Sequence, residues 1–350
     1  MSKSLQNHIL IWYGVIFMLS FKINDYTLIE TKSYQESEYI DYGVRLVGAP
    51  LEWKETMGEG IRVGIIDTGV CTSHPDLCSR IKDGVNFTNE DKGSFCDHSG
   101  HGTHVSGIVC AEKNGSGVVG VAPKADLYVA KAFDKSGKTN YPAIEKSLMW
   151  LADKKVDVIN MSFSSSFATV RYSEAIRAIK RLGITMICAA GNDGEKSTIG
   201  YPANFNDTIA VSAVDINKHI AEFNSVGTAA EISAAGINIF STYLDNGYAI
   251  LSGTSMATPI ITGAVAILQA KGMMRYGRRL TPDEIRLLLN IYTEDLSGSG
   301  KDDRYGYGLF SFGRISGSDY VSQNLEEKIF KKRKEMTSKM AELVVAMLMK

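Results

Sequence analysis

Aspartate, histidine, asparagine and serine stand in four short segments of this chain, and together they supply what an acyl-transfer reaction needs. The segments are Ile65-Ile66-Asp67-Thr68-Gly69, His98-Ser99-Gly100-His101-Gly102-Thr103-His104-Val105, Ala189-Ala190-Gly191-Asn192 and Gly253-Thr254-Ser255-Met256-Ala257-Thr258-Pro259. A serine hydroxyl is a weak nucleophile until an adjacent base takes its proton. Histidine suits that task because its ordinary pKa lies near neutrality. A carboxylate behind the ring fixes the tautomer and stabilises the imidazolium that forms. The tetrahedral intermediate carries an oxyanion, which needs preorganised donors. Singly, each segment has a plainer reading. Asp-Thr-Gly makes a turn, Gly-Thr-Ser starts a helix, Ala-Ala-Gly-Asn forms a loop with positive φ, and a histidine beside glycines sits on a surface. All four in the order Asp, His, Asn, Ser point instead to nucleophilic catalysis. Three histidines crowd the second segment. A metal held by His101 and His104 is the rival reading, but it lacks the glutamate that completes the usual ligand pattern.

Groups that react together must be delivered to one place by the elements that carry them. Arg62–Asp67, Leu127–Ala132, Val156–Met161, Ile184–Ala190 and Thr208–Val214 are short, β-branched runs that read as buried strands. Between them Ile144, Leu148 and Leu151, then Ala175, Ile179 and Leu182, recur at the spacing of one helix face. Ser255–Gly272 reads as a further helix with the serine at its start. Alternating strands and helices predict an α/β fold: a doubly wound, largely parallel sheet with helices on both faces. In such sheets functional groups gather outside the carboxyl ends of the strands, where Asp67 closes one strand and Asn192 follows another.

The chain has 350 residues, 44% hydrophobic and 22% charged, with a formal charge of −1, so no overall charge recommends nucleic acid or an anionic membrane as partner. Its five cysteines are odd in number and lack C-x-x-C spacing, which argues against a disulfide scaffold and a zinc knuckle. Ile9–Phe21 is an uncharged apolar run of thirteen residues, short of the about twenty that a spanning helix needs. It resembles the apolar part of a signal peptide. Near the other end Ile329, Met336 and Leu343 recur every seven residues beside Lys331, Lys332, Arg333 and Lys334. That stripe reads as a helix that either docks on its own domain or pairs two copies in a homodimer.

From about Tyr42-Gly43-Val44 to Tyr305-Gly306-Tyr307-Gly308-Leu309 the sequence resembles the subtilisin-like serine proteases. Asp67-Thr68-Gly69 is similar to the family's aspartate motif, His101-Gly102-Thr103-His104 to its histidine motif and Gly253-Thr254-Ser255-Met256-Ala257 to its serine motif, in the family's chain order. The resemblance selects His101 as base and leaves His104 structural. It implies a serine endopeptidase with Ser255 as nucleophile, Asp67 orienting His101, and the Asn192 side chain with the Ser255 N–H binding the oxyanion. A peptide would be held as an added strand against Met161-Ser162-Phe163-Ser164-Ser165, the Ser162 backbone facing it and Gly200 at the pocket base. Ser164 and Ser165 depart from the family's usual glycines, which leaves the width and preference of the first pocket open. Asp193, after the oxyanion asparagine, reads as a solvated rim charge.

Glu112-Lys113-Asn114-Gly115-Ser116-Gly117-Val118 resembles the family's calcium loop. The resemblance implies a structural Ca2+ held by Asp76, Asn114, Glu112, Ser116 and Val118, with Glu38 near the N-terminal ligand and Lys113 opposing. No organic cofactor is implied. In layout the chain is most similar to intracellular subtilisins. Residues 1–39 are then a leading extension, 40–312 one catalytic domain and 313–350 a helical tail. Tyr26-Thr27-Leu28-Ile29-Glu30 sits where those proteases carry an inhibitory segment, with Glu30 in place of a proline. A cytoplasmic protease acting on proteins or peptides is the expectation. A secreted or membrane-anchored one, held through residues 9–21, is the alternative location. A processing enzyme for one precursor and a non-catalytic peptide-binding homologue are the alternative functions.

Overall fold

The computed structural model describes residues 22–23, 26–32, 37–298 and 300–313. The apolar run 9–21 and the stripe in the tail lie outside the described residues, and with them the expectations of an anchor and a dimer helix. Before the main sheet come two short strands, β1 (Lys22–Ile23) and β2 (Thr27–Lys32), and two short helices, α1 (Tyr42–Leu46) and α2 (Ala49–Glu52). The α/β body then runs β3 (Arg62–Asp67), β4 (Ile81–Asn86), α3 (His101–Cys110), β5 (Asp126–Lys131), α4 (Tyr141–Asp153), β6 (Val158–Met161), β7 (Phe163–Ser164), α5 (Val170–Arg181), β8 (Thr185–Ala189), β9 (Ile209–Val214) and β10 (Ala230–Ala235). It closes with β11 (Ile239–Thr242), β12 (Tyr248–Ser252), α6 (Thr254–Tyr276), α7 (Pro282–Ile291), β13 (Thr293–Glu294) and β14 (Leu309–Phe310).

Nine strands form one sheet in the order β13-β14-β10-β9-β8-β6-β3-β5-β4, and every neighbouring pair is parallel except β13 with β14. Such a sheet must be covered on both sides, and the side chains of β3 show the division. Val63 and Ile65 join the apolar core under α3 and α6, whereas Ile66 joins the core under α4 and α5. The chain leaves β3 toward β5 on one side and β6 on the other, so the winding reverses at β3. That reversal opens a crevice at the carboxyl ends of β3 and β6, where ligands bind in open α/β sheets. Asp67 and Ser162 lie at these two ends.

The helices start where local chemistry directs them. Asn140 caps α4 by accepting from the Ala143 N–H, and Thr169 caps α5 by accepting from the Tyr172 N–H. Thr281 and Glu284 form a reciprocal capping box on α7. The strands read from the sequence are present with ends shifted by at most two residues. The second helix is rotated from its expected face. Tyr172, Ile176 and Ile179 are its buried side, while Leu182, at the C-cap, is 66% exposed. β4, with Lys82, Asp83 and Gly84 in its middle, has no apolar run to read and is an edge strand. Among the described residues no helix is long and apolar enough to cross a membrane.

Candidate active site

Each member of the predicted constellation is delivered by a different element. Asp67 ends β3 and is fully buried, as are His101 at the start of α3 and Ser255 at the start of α6. His101 Nδ1 lies 2.8 Å from Asp67 Oδ1. That approach requires α3 to press its first turn onto the end of β3, and Gly102 permits it. A Cβ there would fall 2.2 Å from the Gly69 carbonyl and 3.1 Å from the Asp67 Cβ. The Gly102 N–H also donates to Thr68 Oγ1 at 2.9 Å, tying helix to strand. Asp97 caps this end of α3, its carboxylate accepting from the N–H groups of Ser99, Gly100 and Thr103 and from the Thr103 hydroxyl. Behind β3 the fully buried Lys131 donates to the Thr68 carbonyl at 2.8 Å.

Ser255 is positioned by a proline. Pro259 lies in the first turns of α6 and has no N–H to give the Ser255 carbonyl four residues back. Ser162 fills that vacancy: its hydroxyl donates to the Ser255 carbonyl at 3.0 Å, and the Ser255 hydroxyl donates to the Ser162 carbonyl at 3.1 Å. Asn160 donates to the Ser162 hydroxyl at 2.9 Å and accepts from Thr262 of α6 at 2.9 Å. Ser255 is therefore clasped to Ser162, between β6 and β7, and His101 Nε2 has no hydrogen-bond partner. Asn192, beyond β8, accepts from the Thr254 N–H at 2.9 Å and from its hydroxyl at 2.7 Å. Committing the amide oxygen to Thr254 turns the amide nitrogen the other way, beside Gly253 at the start of α6.

His104, one turn beyond His101, is fully buried, and its Nε2 lies 3.1 Å from both the Ile239 and Ala249 carbonyls. Burial pushes its pKa down to about 3, so it is a neutral, structural ring. His98 pairs with Asp91 at the surface. Among the described residues no three histidine, cysteine, aspartate or glutamate side chains are grouped to hold a metal ion.

The leading segment lies along the same crevice. β1 pairs antiparallel with β7, Ile23 opposite Phe163, and the Ile23 N–H donates to the Gly137 carbonyl at 3.1 Å on the other side. β2 pairs antiparallel with β12, Thr27 opposite Ser252. Between them the Tyr26 ring centroid sits 5.0 Å from that of His101. Burial raises the Tyr26 phenol above its ordinary pKa, so this ring covers His101 as a neutral group. The described residues along the crevice are 22–23 and 26–32, which include the expected Tyr26–Glu30. Tyr39 belongs to another site, its N–H donating to the Gly117 carbonyl.

The loop from Glu112 to Val118 gathers around Asp76, which is fully buried. Its carboxylate accepts from the Val118 N–H at 2.9 Å, the Tyr248 hydroxyl at 3.0 Å and the Asn114 amide at 3.1 Å. The Glu112 side chain turns away to Ser79 and Arg80, while Ser116 donates to Asn114. Lys113 pairs with Glu38 at 2.8 Å, and the Gly115 N–H donates to the other Glu38 oxygen at 3.0 Å. Sequence reasoning did not find the Ser162 clasp, the Asp97 cap, Lys131 or the Tyr26 contact. Only the Pro259 and Gly102 motif positions hinted at the first two.

Comparison with known proteins agrees with this geometry. The model of the subtilase family (Peptidase_S8) matches residues 58–308. An intracellular serine protease of Paenibacillus polymyxa is 38% identical over 79% of this chain and 86% of its own length. Subtilisin DY of Bacillus licheniformis is 40% identical over 79% of this chain and 98% of its own. The major intracellular serine protease of Bacillus subtilis is 36% identical over 69% and 79% respectively. With strands, crevice and sequence all in agreement, the chain belongs to the subtilase family and is a subtilisin-like serine endopeptidase acting on protein or peptide substrates.

Proposed function

We propose that this chain cleaves peptide bonds through an acyl-enzyme formed on Ser255. The observation that carries the reading is the buried His101–Asp67 contact of 2.8 Å at the crevice that also receives Ser255 and Asn192. Substrate entering as a strand beside β7 places its carbonyl at the Ser255 hydroxyl. His101 Nε2 takes the hydroxyl proton as the Ser255 oxygen bonds to the carbonyl carbon, and later gives that proton to the leaving amine. Asp67 keeps the ring in the tautomer with hydrogen on Nδ1 and balances its charge when Nε2 is protonated. The Asn192 amide and the Ser255 N–H receive the developing oxyanion. Water then attacks the acyl carbon with His101 again as base, releasing the acid and restoring Ser255. A small fluorophosphonate followed by peptide mapping tests the assignment: label on Ser255 supports it, and folded protein without label there overturns it.

Residues 22–32 act in this reading as an inhibitory segment. Lys22–Ile23 and Thr27–Lys32 occupy strand positions beside the crevice, Tyr26 covers His101, and Asp67, His101 and Ser255 are fully buried with them in place. The segment must be cut or displaced before substrate can lie there. The cytoplasm is the proposed location. All five cysteines are free thiols, as a reducing compartment keeps them, and two of the relatives carry "intracellular" in their names.

A structural calcium ion fits the loop at Asp76. A buried carboxylate with only neutral hydrogen-bond donors around it asks for a cation. Asp76, the Asn114 side-chain oxygen after a half-turn of its amide, and the carbonyls of Glu112, Ser116 and Val118 would hold it, as hard cations take oxygen ligands. Glu38 is committed to Lys113 and Gly115, which neutralises the lysine and removes Glu38 from the ligand set. Bound calcium would fix the loop and take no part in the chemistry.

A further inference from the structure

Lys131 ends β5 and is, among the described residues, the one lysine or arginine that is fully buried. Burying an ammonium is costly unless it is paired and hydrogen-bonded. Its Nζ donates to the Thr68 carbonyl at 2.8 Å, and Glu90 Oε2 lies 3.6 Å away. Glu90 is partly exposed and held in turn by the Lys135 N–H, 3.2 and 3.1 Å from its two carboxylate oxygens. Lys131 is also the partner of Asp67 in the β3–β5 ladder, so the ammonium springs from the strand beside the aspartate. Thr68 joins the two. Its N–H donates to Asp67 Oδ1 at 2.7 Å, its hydroxyl accepts from the Gly102 N–H at 2.9 Å, and the same Asp67 oxygen meets His101 Nδ1 at 2.8 Å. Asp67 Oδ2 has no hydrogen-bond partner, so Thr68 and His101 orient the carboxylate. The Thr68 carbonyl opens the link to Gly69, whose φ is +108° and whose own carbonyl packs on Gly102. Holding the Thr68 carbonyl therefore fixes the turn on which the start of α3 rests.

We propose that Lys131 is a positioning residue for the base. It fixes the Thr68–Gly69 turn that seats Asp67 and His101, and its charge sets the pH at which His101 becomes free to accept a proton. The proposal rests on His101 acting as base toward Ser255. The ammonium reaches the imidazole through three links, Lys131 to Thr68, Thr68 to Asp67 and Asp67 to His101, and all four residues are fully buried. A unit charge roughly 10 Å from an ionising group shifts its titration by about one pH unit at an effective dielectric constant of about 20. A cation opposes the imidazolium, so Lys131 keeps His101 neutral to lower pH, and Glu90 offsets part of that effect. His101 is faced by Asp67 of β3 and Tyr26 of the leading segment, with His104 and the cap residue Asp97 on its own helix. All four stay in place in the variants that follow.

The test is the pH profile of kcat/KM for one chromogenic peptide, measured on the full chain for the native protein, Lys131→Met and Glu90→Gln. The acid limb of that profile reports the ionisation of the base in the free enzyme. Any pH dependence in displacing the leading segment is common to the three proteins and drops out of their difference. Lys131→Met removes the cation and leaves Glu90, so its limb is expected to move to higher pH by about half a unit or more. Its kcat on the plateau is expected to fall by about tenfold or more with KM little changed, because the turn is no longer held. Glu90→Gln removes the anion and leaves the ammonium, so its limb is expected to move to lower pH. A lysine that only propped up the fold would lower activity evenly and move neither limb. An unmoved limb in either folded variant, or two limbs moved in the same direction, overturns the proposal. So does a Lys131→Met plateau equal to the native one. Where Lys131→Met does not fold, the Glu90→Gln limb decides alone. The small fluorophosphonate separates the two levels of the reading. Label on native Ser255 with unmoved limbs defeats the role of Lys131 alone, whereas no label defeats the nucleophile and the proposal with it.

Discussion

Asn192 is held by its oxygen. Two donors from Thr254 fix the amide at 2.9 and 2.7 Å, so its nitrogen is oriented before any substrate arrives. Preorganisation of that kind is what stabilises an oxyanion without reorganisation at the moment of reaction. Asn192→Ala is expected to fold and to lose about 10²–10³ in kcat with little change in KM, the effect that removing this donor has in subtilisin itself. The magnitude is carried over from that relative rather than calculated for this chain. Single-turnover kinetics with a chromogenic peptide checks it, and equal turnover would take Asn192 out of the mechanism. The groups of the candidate site were legible in the sequence because each sits in a compact motif whose residues are neighbours along the chain. Their supports were not legible, because they are partners across long loops. The Ser162 hydroxyl meets the Ser255 carbonyl 93 residues away, and Lys131, the one charge within the buried run Leu127–Ala132, lies 63 residues from its acceptor Thr68.

Strands and helices set who can reach the crevice. The main sheet was readable because β3, β6, β8 and β9 are continuous β-branched runs, buried along nearly their whole length. β2 was not readable as a strand, since all six of its residues are exposed and only pairing with β12 makes it one. A segment tethered to its own site competes with substrate at an effective concentration in the millimolar range. Removing the tether should therefore matter more than weakening any one contact. A chain beginning at Tyr39 is expected to hydrolyse a peptide at least about tenfold faster than the intact chain at low substrate. Saturating substrate should narrow the gap, and equal rates at every concentration would show that residues 22–32 do not inhibit. The Asp76 loop gives a second prediction at this scale. Chelator should lower the melting temperature of the native protein but not that of Asp76→Asn, in which the buried charge that calls for the cation is gone. An unchanged melting temperature on chelation removes calcium from the account.

For the whole molecule, two buried histidines and one buried aspartate couple folding to pH in opposite directions. Burial lowers His104 to about 3 and also lowers His74, whereas burial raises Asp41 to about 6. A histidine with a depressed folded pKa stays neutral in the native state while the unfolded chain takes up protons below its ordinary value of about 6.5. The unfolded state then binds more protons, so stability rises with pH through that window and is lost as the pH falls from 6.5 toward the folded pKa of about 3. Asp41 acts the other way. Its native form holds a proton that the unfolded form releases, so between its ordinary value of 3.8 and about 6 it lowers stability as the pH rises. Asp157 and Glu231, also raised by burial, act in the same sense as Asp41. The wide His104 window, His74 and the lowered carboxylates Glu59, Asp83 and Asp134 act in the opposite sense, toward lower stability as the pH falls. His104 spans α3 to β11 and β12 through the Ile239 and Ala249 carbonyls, and the proton it would gain goes to the buried, unpartnered Nδ1, so the cost of charging it is that of a desolvated imidazolium between the helix that carries His101 and the strands that lead to Ser255. Urea unfolding followed from pH 8 to pH 4 is expected to show a falling midpoint below about 6.5. His104→Gln, which keeps an N–H donor and cannot be protonated, should start less stable at pH 8 and lose less on acidification. A slope identical in the two proteins would assign the acid sensitivity to other groups.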